Sequence, residues 1–118
     1  MTQSAPQAIG SGAEEEAAAF LQARGLAIVD RNFRTRLGEI DLVARDGATL
    51  VFVEVRYRAG ESYGGALESI TAAKRRRIVA AAGQYLARLG AEPPCRFDVV
   101  AFEGQSPRWL RAAFDVAG

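Results

Sequence analysis

Two apolar segments joined by an Asp-Gly dipeptide constrain the fold of this chain more than any other feature of its sequence. Residues 38–45 (GEIDLVAR) and 49–56 (TLVFVEVR) are rich in Ile, Val, Leu and Phe, which favour β-strands. Asp46-Gly47 lies between them and is the strongest short signal for a hairpin turn. The sequence therefore predicts an antiparallel hairpin at the centre of a sheet.

Helix and strand patterns alternate along the rest of the chain. The other predicted elements are a helix at residues 13–24, a strand at 26–34, a helix at 72–89, a strand at 96–102, and a short strand or turn around Trp109, Leu110 and Phe114. The long helix has the clearest bounds, since Thr71 can cap its start and Gly90 can end it. Residues 57–69, which precede it, are mostly glycine and polar residues and predict a connection.

This order of elements predicts an α/β fold with one domain at residues 13–118, in which helices flank a mixed central sheet. Residues 1–12 lack the basic and apolar stretches of a secretory signal and are expected to form a flexible tail. No segment has the roughly 20 apolar residues that a membrane span needs. The single cysteine, Cys95, excludes an intrachain disulfide, and these features together predict a cytoplasmic protein.

Pairing the two central strands brings two acidic residues together. If Asp46-Gly47 is the two-residue turn, Asp41 lies opposite Phe52 and is a diagonal neighbour of Glu54 on the same face of the sheet. The backbones of such neighbours are about 7–8 Å apart, which is close enough for both carboxylates to reach one ion. The prediction depends on the register, because a slip of one residue would put the two side chains on opposite faces.

A third acidic residue belongs to the first predicted helix. Glu14 precedes Leu21 on the stripe that is expected to be buried, so it is the glutamate of this helix that most readily points inward. Two simpler interpretations stay open. Glu14 could compensate the helix dipole, and the glutamates of the hairpin could be rim residues paired with Arg56 or Arg58.

The composition limits the chemistry that these carboxylates can support. The chain has no histidine, which excludes Ser-His-Asp and Cys-His triads and zinc sites with histidine ligands. Any reaction must use carboxylates, Lys, Arg, Tyr or a hard metal ion. Oxygen ligands of this kind favour Mg²⁺ or Mn²⁺.

Positive charge is concentrated at the start of the second predicted helix, where the helix dipole disfavours cations. The net charge is only +1, so this cluster predicts a local basic surface for an anionic partner such as a phosphate backbone. The alternative is an ordinary solvated face. The residues expected to bind nucleic acid are Arg34, Arg58, Lys74, Arg75, Arg76 and Arg77.

Several of these motifs closely resemble one family of bacterial proteins, the YraN-like family. The resemblance lies in NFRTRLGEIDLVARDGATLVFVEVRYR, the glycine-rich connection, TAAKRRR and RFDVVAF, and it spans residues 13–114. It implies membership of the PD-(D/E)xK restriction-endonuclease-like superfamily, near the archaeal Holliday-junction resolvases, and a restriction-endonuclease-like fold.

The resemblance also implies a role for each residue of the site. The superfamily carries an Asp on one strand, an acidic-x-Lys motif on the next and often a Glu on the first helix, which match Asp41, Glu54 and Glu14. Their carboxylates would bind Mg²⁺ or Mn²⁺, which activates water and neutralises the phosphate. Arg56 stands where the lysine is expected, and arginine can clamp a phosphate but cannot act as a base. Lys74 is a candidate for the missing amine.

The sequence thus predicts a nucleic-acid-binding protein, and specifically a Mg²⁺-dependent endonuclease acting on DNA, with branched or structured DNA as a candidate substrate. The alternative is a non-catalytic nucleic-acid-binding or assembly module with a degenerate nuclease site. No membrane partner is expected, and a homodimer is implied only by analogy with the resolvases.

Overall fold

Two helices and five strands make up the part of the chain that the computed structural model describes, residues 5–58, 70–103 and 106–116. In chain order they are α1 (Ala5–Ala23), β1 (Ala27–Arg34), β2 (Glu39–Asp46), β3 (Thr49–Arg58), α2 (Ala72–Leu89), β4 (Cys95–Glu103) and β5 (Pro107–Phe114). The predicted α/β fold with a mixed sheet and two helices is confirmed. Most of the predicted connection at 57–69 lies outside the described residues.

The five strands form a single sheet in the order β1-β2-β3-β4-β5. β3 and β4 run parallel, and the other neighbouring pairs are antiparallel. Because parallel strands need a long crossover connection, α2 lies between β3 and β4 in the sequence. β3 is therefore the central strand, as the two-sided apolar pattern of the hairpin predicts.

One helix covers each face of the sheet. The core beneath α2 includes Val43, Phe52, Ile78, Phe97 and Val99. The core beneath α1 includes Leu21, Leu42, Val53, Val100 and Phe102. Burial on both faces explains why the central strands are nearly continuous apolar runs rather than alternating ones. Neither helix in the described ranges is long and apolar enough to cross a membrane.

The hairpin forms where it was predicted, but its turn is placed differently. Asp46 pairs with Thr49, so the two turn residues are Gly47 and Ala48 rather than Asp46 and Gly47. Gly47 has a φ of 62°, which glycine adopts without steric strain. A glycine at the first turn position is typical of a type II′ hairpin.

The register of the hairpin follows from this turn and corrects the predicted one. Phe52 lies opposite Val43, two residues away from the predicted partner Asp41. Side chains alternate along a strand with a period of two, so a shift of two residues changes the partners and not the faces. The predicted pairing of Asp41 with Phe52 is therefore wrong, and Asp41 lies just beyond the last paired residues of the hairpin, Leu42 and Val53.

The helix bounds agree with the sequence at three of four ends. α2 begins after Thr71, whose Oγ1 accepts a hydrogen bond from the Lys74 amide at 3.1 Å, and ends before Gly90, whose φ is 74°. α1 ends one residue before its predicted end but begins at Ala5 rather than at residue 13. Glycine and serine within a helix cost at most about 1 kcal/mol each and do not forbid it. The flexibility expected of residues 1–12 stays a prediction.

Candidate functional site

The candidate site forms where β2 and β3 separate. The paired residues nearest to it are Leu42 and Val53. One residue further along β2, Oδ2 of Asp41 accepts a hydrogen bond from the Val55 amide at 2.8 Å. The side chain of Asp41 thus satisfies a backbone donor at the point where the strands diverge, and this bond fixes the carboxylate between them.

The alternation of side chains along β2 is interrupted at the same point. Leu42 packs beneath α1, whereas both Ile40 and Val43 pack beneath α2. At the level of Asp41 in the neighbouring strand β1, Asn32 has a positive φ of 52°, a conformation that asparagine tolerates better than most residues. In a regular strand Ile40 would share the face of Leu42, so β2 is irregular at this point.

Asp41 and Glu54 form a carboxyl pair in which Glu54 is buried and Asp41 is half-buried. Glu54 is only 4% exposed. Burial raises the pKa of both carboxyl groups, and burial together with the negative charge of Asp41 brings the pKa of Glu54 to about 7. A hydrogen bond between the two side chains further raises the pKa of Glu54 and partly offsets the rise at Asp41. The pair therefore retains a proton more readily than two separate carboxyl groups would.

Two cations face Glu54. Arg56 Nη1 and Lys74 Nζ each lie 3.6 Å from Glu54 Oε2. Arg56 comes from the same strand, and Lys74 reaches the site from the first turn of α2. Their charges lower the pKa of Glu54, but less than burial and Asp41 raise it. The alternative pairing of Glu54 with Arg56 is thus observed, but at a buried position and not at an exposed rim.

Glu14 approaches this pair from α1. Burial raises the pKa of Glu14, the charge of Asp41 raises it further, and a hydrogen bond with the side chain of Asn32 lowers it. Within the described ranges, no group of three or more Asp, Glu or Cys side chains is close enough together to hold a metal ion. Glu14 therefore lies near the pair without forming one cluster with it.

A cleft of about 280 Å³ opens beside the carboxyl pair, between the β1–β2 turn and the start of α2. Its lining residues are Arg34, Thr35, Arg36, Gly38, Glu39, Lys74, Arg77 and Ile78. Arg34 Nε and Glu39 Oε1 form an ion pair of 3.2 Å in this lining. Lys74 belongs both to the cleft and to the surroundings of Glu54, so the two features are contiguous.

Close contact between the β1–β2 turn and α2 holds the cleft in shape. Thr35 Oγ1 accepts hydrogen bonds from the amides of Leu37 and Gly38, at 3.0 and 3.1 Å. A Cβ atom at position 38 would overlap the carbonyl oxygen of Arg77, so only glycine allows this approach. The sequence analysis did not predict these roles of Thr35 and Gly38. The spacing of a threonine three residues before a glycine could have indicated such a turn.

Three of the predicted nucleic-acid-binding residues meet in the cleft: Arg34, Lys74 and Arg77. Arg36 lines it as well and was not among the residues predicted from the sequence. These side chains come from two elements that are distant in the sequence. Only the packing of α2 against the β1–β2 turn brings them together.

Of the other three predicted residues, Arg75 and Arg76 do not line the cleft. Arg75 Nε donates a hydrogen bond to the Ile70 carbonyl at 3.2 Å, and its guanidinium lies 5.9 Å from the centre of the Phe114 ring. Arg76 is exposed on α2. The side chain of Arg58 lies outside the part of the chain that is described. The run of three arginines is thus divided by the helix into different environments.

A second buried acid, Asp98, has a different environment. It is fully buried and accepts hydrogen bonds from Arg96 Nε at 3.0 Å, Trp109 Nε1 at 2.9 Å and the Ala112 amide at 2.9 Å. Three donors satisfy this carboxylate, as expected of a structural group. Glu54, in contrast, faces another carboxyl group, and such like-charge pairs are typical of functional sites.

The fold and the site together define a class: a small α/β protein with a carboxyl pair beside a basic cleft. The chain belongs to the family described as "Uncharacterised protein family UPF0102", whose model matches residues 13–102. This range runs from α1 to most of β4 and includes the whole candidate site. The family membership predicted from the sequence is confirmed.

Close relatives carry the same family name and match nearly the whole chain. A UPF0102 protein of Methylibium petroleiphilum is 53% identical over 118 residues, which cover 94% of this chain and 97% of the relative. Another, of Cupriavidus taiwanensis, is 59% identical over 111 residues, covering 92% of this chain and 84% of the relative. The chain is therefore similar in extent to these relatives.

Proposed function

We propose that this protein binds nucleic acid and cleaves DNA as a divalent-metal-dependent endonuclease. The observation that supports this most strongly is the carboxyl pair of Asp41 and Glu54, with its two cations, at the edge of a basic cleft. A nuclease needs carboxylates for a metal ion and positive charge for the phosphate, and this site offers both in one place.

The donor set fits Mg²⁺ or Mn²⁺. Asp41 and Glu54 offer only oxygen ligands, and a divalent cation would take the place of the proton that the pair now shares. Glu14, on the neighbouring helix, is the candidate for a third ligand. When bound, such an ion would activate water and neutralise the charge of the phosphate.

The chain's own cations have distinct roles in this proposal. Arginine cannot act as a base but can bind a phosphate, so Arg56 would stabilise the negative charge that develops on the phosphate. The superfamily motif has a lysine at the position of Arg56. Lys74 brings an amine to the same Glu54 oxygen that Arg56 contacts. We assign Lys74 the role of orienting the attacking water.

Cleavage assays on duplex, single-stranded and branched DNA test the proposal. We expect Mg²⁺- or Mn²⁺-dependent cleavage that Asp41→Asn abolishes and the exposed control Glu16→Gln preserves. Arg56→Lys should preserve or raise activity, because it restores the residue that the motif expects. If the protein and Arg56→Lys both bind DNA and neither cuts it, the protein is a non-catalytic module. If neither binds any nucleic acid, the proposal is wrong.

Two further expectations belong to the proposal. A protein acting on cellular DNA in a bacterium would work in the cytoplasm, and sedimentation of the purified protein with and without branched DNA would test the homodimer. Both stay predictions.

A further inference from the structure

The cleft between the β1–β2 turn and α2 contains more positive charge than its own acidic residue neutralises. Its cations are Arg34, Arg36, Lys74 and Arg77, and its one acid, Glu39, pairs with Arg34. In the described part of the chain, neither Arg36 nor Arg77 forms an ion pair with an acidic side chain. Two guanidinium groups on opposite walls are thus available to an anion.

The two walls of this cleft are held at a set separation. The β1–β2 turn is closed by the hydrogen bond from the Thr35 amide to the Gly38 carbonyl, at 2.8 Å, and by the two amides bound to Thr35 Oγ1. Gly38 then packs against the carbonyl of Arg77, which lies on the opposite wall. The cations are therefore carried by a preorganised frame, and little ordering is needed when a ligand enters.

The cleft is also contiguous with the carboxyl pair through Lys74. On one DNA strand, phosphates follow one another at about 3.4 Å of helix rise. Because Lys74 belongs both to the cleft and to the surroundings of Glu54, a strand bound at the carboxyl pair would continue along the cleft. The planar fork of arginine matches phosphate oxygens in a bidentate geometry.

We propose that this cleft is a phosphate-binding subsite, formed by Arg36 and Arg77 from opposite walls, for the phosphate next to the one at the carboxyl pair. The inference rests on the proposed function, because it takes the ligand to be part of a nucleic acid strand. The inference gives Arg77 a role that its neighbours do not share. Arg75 donates a hydrogen bond to the Ile70 carbonyl, and Arg76 lies outside the cleft.

Titration with inorganic phosphate, followed by ³¹P NMR, tests the subsite directly. We expect Arg36→Gln and Arg77→Gln each to weaken phosphate binding by roughly tenfold or more, as the loss of a charged hydrogen bond does. Arg76→Gln removes the same charge from the same helix and Arg111→Gln removes it from β5, and both should leave binding within about twofold. Equal losses for Arg77→Gln and Arg76→Gln, or no binding by the wild type, would overturn the inference.

Short oligonucleotides with and without a 5′-phosphate identify the source of the phosphate. A gain in affinity from the 5′-phosphate that Arg77→Gln removes would assign the cleft to a strand end. If the two oligonucleotides bind with equal affinity and Arg77→Gln weakens both equally, the cleft binds an internal phosphodiester. Arg77→Gln should then reduce the slope of log affinity against log salt concentration by about 0.7 on single strands. Either result supports the subsite.

The outcomes also separate this inference from the proposed function. Suppose that metal-dependent cleavage is lost in Asp41→Asn. If Arg77→Gln and Arg76→Gln then cleave equally well at all DNA concentrations, the subsite is rejected and the proposed function is not. Binding of inorganic phosphate in the pattern expected for the cleft, without binding of any oligonucleotide, would reject the proposed function and the nucleic-acid ligand, while the phosphate site formed by Arg36 and Arg77 would stand.

Discussion

Glu54 is the residue whose ionisation the surrounding protein most disfavours. Its pKa rises from 4.5 to about 7, first because the side chain is buried and then because Asp41 is negative. Lys74 and Arg56 oppose this rise without cancelling it. The folded protein therefore holds a proton on Glu54 at pH values where the unfolded chain has released it. Asp41 and Glu14 shift in the same direction.

This shift predicts a pH-dependent stability. Because the folded pKa is above the unfolded one, the contribution of Glu54 is fully present below pH 4.5 and is lost as the pH rises to about 7. The loss is roughly 3 kcal/mol in the free energy of unfolding. Glu54→Gln mimics the protonated group, so its stability should vary less over this interval. Urea unfolding from pH 4.5 to 8 measures the difference.

The matched control is Glu16→Gln, which changes an exposed glutamate of α1. It should follow the wild-type pH profile. If Glu54→Gln and Glu16→Gln both track the wild type, the carboxyl pair is hydrated in solution and its charge is not disfavoured.

The same proton predicts how metal affinity depends on pH. A divalent ion must displace the proton of Glu54 before it can bind both carboxylates, so Mg²⁺ or Mn²⁺ affinity should rise steeply up to about pH 7 and level off above it. Isothermal titration calorimetry at pH 6, 7 and 8 measures this. Asp41→Asn should remove binding. Affinity that is equal at all three pH values, or unchanged in Asp41→Asn, would mean that the pair is structural.

At the scale of elements, the contact between the β1–β2 turn and α2 depends on one glycine. Gly38→Ala would force a Cβ into the Arg77 carbonyl, and we expect a loss of about 1–3 kcal/mol in stability together with weaker phosphate binding. Gly83 lies in α2 and has open space around its Cβ position. Gly83→Ala should therefore raise the free energy of unfolding by roughly 0.5–1 kcal/mol. Thermal unfolding of both variants compares them.

The opposite signs make this comparison informative. A stable Gly38→Ala protein with normal phosphate affinity would show that the turn moves away from α2 at little energetic cost. In that case the cleft is not preorganised, even if its arginines bind phosphate.

At the scale of the whole molecule, the two buried acids, Glu54 and Asp98, lie on opposite faces of the sheet and have different partners. Phe97 and Val99 pack beneath α2, so Asp98 between them points to the α1 face, where it binds Trp109. This bond joins β4 to β5, the strand at the edge of the sheet. Glu54 points to the α2 face, where the cleft is.

Asp98→Ala is therefore expected to destabilise the protein without changing the site. It removes a fully buried carboxylate that accepts from the half-buried Arg96 and Trp109, which costs about 3–5 kcal/mol. Asp46→Asn weakens a partly exposed ion pair with Arg96 and should cost 1 kcal/mol or less. Urea unfolding measures both losses. Similar losses for the two variants would contradict the assignment of Asp98 as the structural acid.

Local patterns in the sequence predicted the elements well where a local cause decides them. Thr71 and Gly90 bound α2 as predicted, because capping depends on the backbone groups of a single turn. The meeting of Asp41 and Glu54 was predicted because the two strands are neighbours, although their predicted pairing was off by two residues. Family membership followed from the same central segments.

The errors arose where two local solutions were equally allowed. A two-residue turn can include Asp46 or Ala48 beside Gly47, and the packing of both strands chose Ala48. Ile40 packs on the same side as Val43, beside the positive φ of Asn32 in β1, and no pattern within β2 reveals this irregularity.

The surroundings of Glu54 and the walls of the cleft were decided by tertiary structure alone. Lys74 reaches Glu54 and Arg77 faces Arg36 because α2 packs closely against the β1–β2 turn. Gly38 allows this close packing. Periodicity and capping act over a few residues and carry no information on which distant side chains meet. The packing of one helix on the sheet supplied that information, since close-packed cores leave it few positions.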